Sequence, residues 1–218
     1  MGRAELAESL RVTGIVINIA VFPRQQLLGG VAALAEGGIK AVELAYATIQ
    51  SAGWLIPQLK ENGILIGIGA ITSSAQAREA GAFGADFVTA SVTTPDVVVA
   101  CEQLSIPCLL SSHTPTEVWR AHQMGADLVK VIAPKVLGGP TYIRYLHESM
   151  PTLRLVGAEM PWGGGYLSYL EAGIEVLEFK SSLAFPRFVE RGERAEIAHR
   201  AAEIVQARDC WRATRKQP

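Results

Sequence analysis

Residues 125–140 read GADLVKVIAPKVLGGP. A glycine closes a helix, a short run of aliphatic residues makes a strand, and one lysine, Lys130, interrupts it. Lysine is almost never fully buried unless it is paired or put to use. Two questions follow: what kind of sheet holds a strand this apolar, and which way its ammonium group points.

The phrase recurs along the chain, as EGGIKAVEL (36–44), GAFGADFVTA (81–90), MGADLVKV (124–131) and EAGIEVLEF (171–179). The copies lie roughly forty to fifty residues apart, about twice the length of one strand–helix unit, so a further strand belongs between each pair. ILIGIGA (64–70), PCLLSS (107–112) and RLVGAEM (154–160) fill those places, and TGIVINIA (13–20) stands in front. Helical patterns separate the strands. Thr114-Pro115-Thr116-Glu117 is a capping box with proline at the first helical position, and Thr94-Pro95 opens another helix. Strands that are nearly all apolar are covered on both faces, and eight of them alternating with helices describe a (β/α)₈ barrel. An open doubly wound sheet is the alternative, but the chain lacks the GxGxxG turn that favours it.

The 218 residues predict one barrel domain with its core at about 12–186, an N-terminal helix, a C-terminal helix at about 193–207 and a frayed basic end at 211–218. Hydrophobic residues make up 49 % and the net charge is −1, so no global field draws the chain to nucleic acid or to an anionic membrane. No apolar run is long enough to span a bilayer, and the start, MGRAELAESL, lacks the apolar core of a signal peptide. Cys101, Cys108 and Cys210 have no metal-ligand spacing, and reduced thiols in a cytoplasmic protein are the expectation. No cluster of acidic or histidine residues has metal-binding character, and no cofactor is expected.

Alternate residues of a barrel strand face the lumen. Lys130 turned toward the outer helices would be an unpaired buried charge costing several kcal/mol, so it is expected to point inward. Glu43, in IKAVELAY, has a similar setting, and the two charges would offset each other's desolvation. Burial lowers a lysine pKa and frees the amine to attack a carbonyl, with Glu43 as a proton shuttle. A Lys–Glu pair that merely fills the barrel fits these residues equally well.

Taken together, ALAEGGIKAVEL (33–44), GIGAIT (67–72), TPTE (114–117), GADLVKV…LGGP (125–140) and SS…FP (181–186) resemble the 2-keto-3-deoxy-6-phosphogluconate (KDPG) and 4-hydroxy-2-oxoglutarate aldolases, over roughly residues 8–206. The resemblance implies a trimeric class I aldolase on a (β/α)₈ barrel. Lys130 matches the lysine that forms the Schiff base, and Glu43 the glutamate that moves protons. The departures concern substrate grip. The family's arginine four residues after the glutamate is Ala47 here; its GxGT turn ends Gly69-Ala70; its Pro-Thr-Gly-Gly loop reads Gly157-Ala158-Glu159-Met160. A carboxylate at Glu159 would repel a phosphate rather than cradle it.

An unphosphorylated 2-oxo acid or another small carbonyl compound is therefore the expected substrate. Its contacts are sought among Tyr46, Gly69, Ala70, His113, Glu159, Trp162, Lys180, Ser181 and Ser182, with Lys135 expected to be solvated. Glu178 and Lys180 share one face of the last strand. Lys180 is expected to face the lumen, because Ser181 and Ser182 follow at the turn that the resemblance places against substrate, and it is then a rival amine or the cation that replaces the lost arginine. Met160 to Gly165 reads as a flap with Trp162 as an apolar lid, or as a plain loop. Two further readings stay open: a lysine-dependent barrel enzyme without aldol cleavage, and a non-catalytic trimeric relative.

Overall fold

The computed structural model describes residues 1–19, 26–161, 163–180, 191 and 193–215. Its eight strands are β1 (Ile15–Asn18), β2 (Ala41–Ala45), β3 (Leu65–Ile71), β4 (Phe87–Ala90), β5 (Cys108–Ser112), β6 (Leu128–Val131), β7 (Leu155–Gly157) and β8 (Ile174–Lys180). Each pairs in parallel with the next, and β8 closes on β1. The expected barrel is present, and closure excludes the open sheet. Helices α1 (Arg3–Thr13), α2 (Leu27–Glu36), α3 (Ile49–Ala52), α4 (Ile56–Lys60), α5 (Ser74–Ala82), α6 (Pro95–Leu104), α7 (Pro115–Gln123), α8 (Pro140–Ser149), α9 (Leu167–Glu171) and α10 (Arg194–Arg215) surround it.

Local chemistry explains where several elements begin. The Thr114 hydroxyl accepts from the Glu117 N–H, and the Glu117 carboxylate accepts from the N–H groups of Thr114 (2.7 Å) and His113 (2.9 Å). That is the expected capping box. Thr94 precedes α6 as expected but makes no side-chain cap bond; Asp96 supplies the negative charge in that first turn instead.

The recurring Gly-Ala-Asp has a structural meaning. Asp86, just before β4, accepts from the N–H of Ile66 in β3 at 2.8 Å and pairs with Lys60 at 2.7 Å. Asp127, just before β6, accepts from the N–H of Cys108 in β5 at 2.8 Å and pairs with Arg3. Each aspartate thus satisfies a backbone donor of the preceding strand and carries its own cation, which buried polar groups require.

Inside the barrel the side chains form two layers of opposite character. The lower layer is Val16, Ala41, Leu65, Phe87, Leu109, Leu128, Val156 and Val176, with Ala7 and Leu10 of α1 packed beneath it. Helix α1 is the plug of the N-terminal end. Two residues further along the strands, about 7 Å toward their C-terminal ends, the lumen turns polar.

Helix α10 is longer than the sequence pattern predicts, running to Arg215 through most of the segment expected to fray. The carbonyls at the end of α1 have no intrahelical donors. Arg208 donates to Thr13 O, and Arg212 donates to Val12 O (2.5 Å) and Arg11 O (2.9 Å). This docking holds the basic end in helical form.

Candidate active site

Position along a strand decides the polar layer. Asn18, Glu43, Thr89, Lys130 and Glu178 have the same parity as the apolar lumen residues below them, and each lies on a different strand. Lys130 is 4 % exposed, Glu43 2 % and Glu178 2 %, so three ionisable groups are sealed in one layer. Lys130 Nζ lies 3.2 Å from Glu43 Oε2 and pairs more closely with Glu178 Oε2. Glu43 also accepts from Asn18 Nδ2 at 2.9 Å and from the Thr89 hydroxyl at 2.6 Å.

Glycine makes room for this arrangement. A Cβ on Gly67 would lie 2.1 Å from the Phe87 ring, and one on Gly69 would lie 2.2 Å from Glu43 Oε1. Both distances are far inside contact range, so each position admits only hydrogen unless its neighbour moves. Gly69 thus meets the site from the glutamate's side, below the mouth.

The electrostatics reverse one expectation. Burial taken alone would depress the Lys130 pKa, but the charges of Glu178 and Glu43 outweigh it and hold the ammonium above the ordinary lysine value. The lowered pKa expected from burial does not hold, because the lumen sets two carboxylates against the ammonium. Burial first, and then the charge of Glu43, raise the Glu178 carboxyl to about 7, against the lowering influence of Lys130 and Lys180.

The C-terminal ends of the parallel strands form the mouth. Lys180, at the end of β8, lies on the lumen face as expected but well above Lys130, and pairs with Glu159. Both are partly exposed, with side-chain accessibilities of 41 % and 30 %. Ala70, Ala133 and Glu159, beside the ends of β3, β6 and β7, have φ of 61°, 41° and 59°. Left-handed backbone at residues other than glycine costs about 1–3 kcal/mol each and gathers at functional sites.

The other expected residues scatter. The Tyr46 hydroxyl donates to Glu79 of α5 at 2.5 Å, outside the polar layer, and Ala47 is exposed. His113 lines a cavity of about 460 Å³ together with Ser91, Thr93, Ser112 and Arg120, and its carbonyl accepts from Tyr142 at 2.6 Å. Lys135 is exposed. Trp162, Ser181 and Ser182 lie outside the described residues, whereas Gly163, Gly164 and Gly165 are exposed in a loop with positive φ.

Three members of the polar layer escape the sequence pattern. Glu178 is visible only as a charge of undecided direction, and Asn18 and Thr89 pass as ordinary strand residues. Their signal was parity: each lies two positions beyond a lumen-facing apolar residue. Among the described residues no group of three His, Cys, Asp or Glu could hold a metal ion, and no described helix is long and apolar enough to cross a membrane.

Comparison with known proteins agrees with the barrel fold. The family described as KDPG and KHG aldolase matches residues 6–197. A 2-dehydro-3-deoxy-phosphogluconate aldolase of Treponema pallidum is 31 % identical over 139 residues, 63 % of this chain, and the match spans 64 % of that relative's length. Among solved structures, a KDPG aldolase of Legionella pneumophila, with pyruvate captured as a covalent carbinolamine, superposes with a TM-score of 0.77 at 18 % identity, covering 91 % of this chain and 97 % of that one. A 2-keto-3-deoxy-6-phosphogluconate aldolase of Zymomonas mobilis, with 3-phosphoglycerate, gives 0.74 at 16 % identity, over 91 % and 95 % of the two chains. At such identities the superpositions speak for the barrel alone, but the family match covers most of the chain. The chain belongs to the KDPG and KHG aldolase family.

Proposed function

We propose that the chain is a class I aldolase, a carbon–carbon lyase that uses Lys130 as its Schiff-base amine on an unphosphorylated 2-oxo acid. The observation that carries this reading is the sealed contact of Lys130 with Glu43 in the upper lumen. The amine adds to the 2-oxo carbon and loses water, giving an iminium that draws electrons from the adjacent carbon–carbon bond. Glu43, held by Asn18 and Thr89, removes the proton from the substrate hydroxyl as that bond breaks, and returns a proton to the enamine left behind. Water then hydrolyses the iminium and frees the 2-oxo acid product.

Substrate choice follows from the mouth. Lys180 is the cation at the lumen's open end and takes the substrate carboxylate in place of the absent arginine. Glu159 beside it disfavours a phosphate. Gly69 and Ala70, His113, Trp162, Ser181 and Ser182 complete the expected contacts, while Tyr46 is engaged elsewhere by Glu79. The working form is a cytoplasmic homotrimer of single-domain barrels.

Pyruvate with cyanoborohydride, followed by intact mass, tests the assignment. A reduced pyruvate adduct should form on the native protein and be absent from Lys130→Ala. No adduct, or one that persists in that variant, counts against it; an adduct surviving in Lys130→Ala and lost in Lys180→Ala would transfer the role to Lys180. The two carboxylates around one ammonium favour a second reading, a Lys130 that stays cationic and only fills the lumen. Failure of every 2-oxo acid to trap, with the fold intact, would select it.

A further inference from the structure

Glu178 has no part in the reaction just described, yet it is the carboxylate most tightly engaged with Lys130. A second buried acid on an amine that already has one is expensive to keep. The two acids also differ in their surroundings. Glu43 is fixed by three donors from three strands, Asn18, Thr89 and Lys130. Glu178 pairs with Lys130, its one ion-pair partner among the described residues, and is not pinned by Asn18 and Thr89 as Glu43 is.

We propose that Glu178 is the catalytic acid–base of imine formation, taking the ammonium proton of Lys130 before attack and returning it to the hydroxyl that leaves the carbinolamine. This rests on the Schiff-base role of Lys130. Lys130 ammonium and Glu178 carboxylate become amine and carboxylic acid. The amine nitrogen bonds to the 2-oxo carbon, and one N–H proton passes to the former carbonyl oxygen, giving a neutral carbinolamine. The Glu178 acid protonates that hydroxyl, the C–O bond breaks, water departs, and iminium and carboxylate remain. Charge and protons balance without a further reactant. Glu43 is left to work on the substrate's own hydroxyl.

A carboxyl raised to about 7 is matched to both directions of transfer near neutral pH, where an acid–base group works best. Among the described residues, the charges that face it are Lys130 of β6, Glu43 of β2 and Lys180 of β8. Lys180 is in turn bound by Glu159 after β7.

The test is the rate of pyruvate trapping by cyanoborohydride between pH 5.5 and 9, for the native chain and for Glu178→Gln, Glu178→Asp and Glu43→Gln. The native profile should carry a limb centred near pH 7. Glu178→Gln should trap at least about 100-fold more slowly and lose that limb, whereas Glu178→Asp recovers part of the rate with the limb displaced. Glu43→Gln should retain a limb but displace it to lower pH, because the charge of Glu43 helps raise the Glu178 carboxyl. Trapping by Glu178→Gln within threefold of native, with the limb unchanged, would overturn the proposal and leave the Schiff base standing. If the glutamine variant does not fold, Glu178→Asp decides: a native rate and profile there overturns the role. A native chain that never traps pyruvate on Lys130 defeats both this role and the reading it rests on.

Discussion

Lys130 has its charge state set by company rather than by burial. Desolvation alone would leave a neutral amine, and two carboxylates in the same layer reverse that outcome. The inward direction of Lys130 and Glu43 was legible from strand parity and from the cost of the opposite choice. The charge state was not legible, because it depends on Glu178, and parity reports a face without reporting depth. Lys180, two residues on, shares that face but emerges at the mouth. The raised carboxyl of Glu178 makes a stability prediction with a definite sign. Its folded pKa, about 7, lies above the ordinary 4.5, so between those values the folded chain holds more protons than the unfolded one. The group's contribution is therefore fully present below pH 4.5 and is lost as pH rises through about 7. Glutamine does not titrate. The unfolding free energy of Glu178→Gln should thus gain on that of the native chain from pH 5 to about pH 7, by up to about 1.4 kcal/mol per pH unit, and its melting temperature should rise relative to native over the same range. A difference that stays flat across that range would mean that the buried carboxyl does not titrate there.

At the scale of elements, the repeated phrase was enough to count the strands, because an apolar run after a helix-ending glycine is the form a strand takes in a sheet covered on both faces. The sequence did not disclose why aspartate follows Gly-Ala before β4 and β6. The reason is a hydrogen bond to a neighbouring strand, and such pairing is invisible until the sheet is closed. Asp127 accepts from the Cys108 N–H at the start of β5 and is held by Arg3 of α1, so one side chain ties two strands to the N-terminal helix. Replacing it with alanine strands the Cys108 backbone donor and removes one partner of Arg3, which keeps Glu102 and the Gly125 carbonyl, at a cost of roughly 1.5–3 kcal/mol. Urea unfolding should show the midpoint falling with the slope unchanged. Asp127→Asn, which keeps an acceptor oxygen, should recover part of the loss. Pyruvate trapping should be unaffected in both, because Asp127 lies at the end of the barrel away from Lys130. A trapping defect as large as the loss of stability would show that the two ends of β6 are coupled.

Over the whole molecule, a polar layer is stacked on an apolar one, and each end of the barrel has a different duty. The lower layer and α1 exclude water from beneath the ion cluster, which keeps the attraction among Lys130, Glu43 and Glu178 strong. A terminal helix could be read from the sequence, but its role as a plug could not, since nothing local in RAELAESLRVT names its partner. The same holds for the length of α10, which is set by carbonyls of α1 some two hundred residues away. Leu10 is the most deeply buried residue of α1, 1 % exposed and in one apolar cluster with the lower layer. Leu10→Ala leaves a cavity under the lower layer and should cost about 2–5 kcal/mol. The ion cluster sits one layer above that cavity. If the two layers are mechanically separate, the variant melts earlier but traps pyruvate with the native pH profile. If the cavity instead admits water beneath Lys130, the carboxyl of Glu178 falls back toward its ordinary value and the neutral limb of the profile moves to lower pH. Measuring the melting temperature and the trapping profile on the same sample separates these outcomes, and the two-layer architecture requires the first.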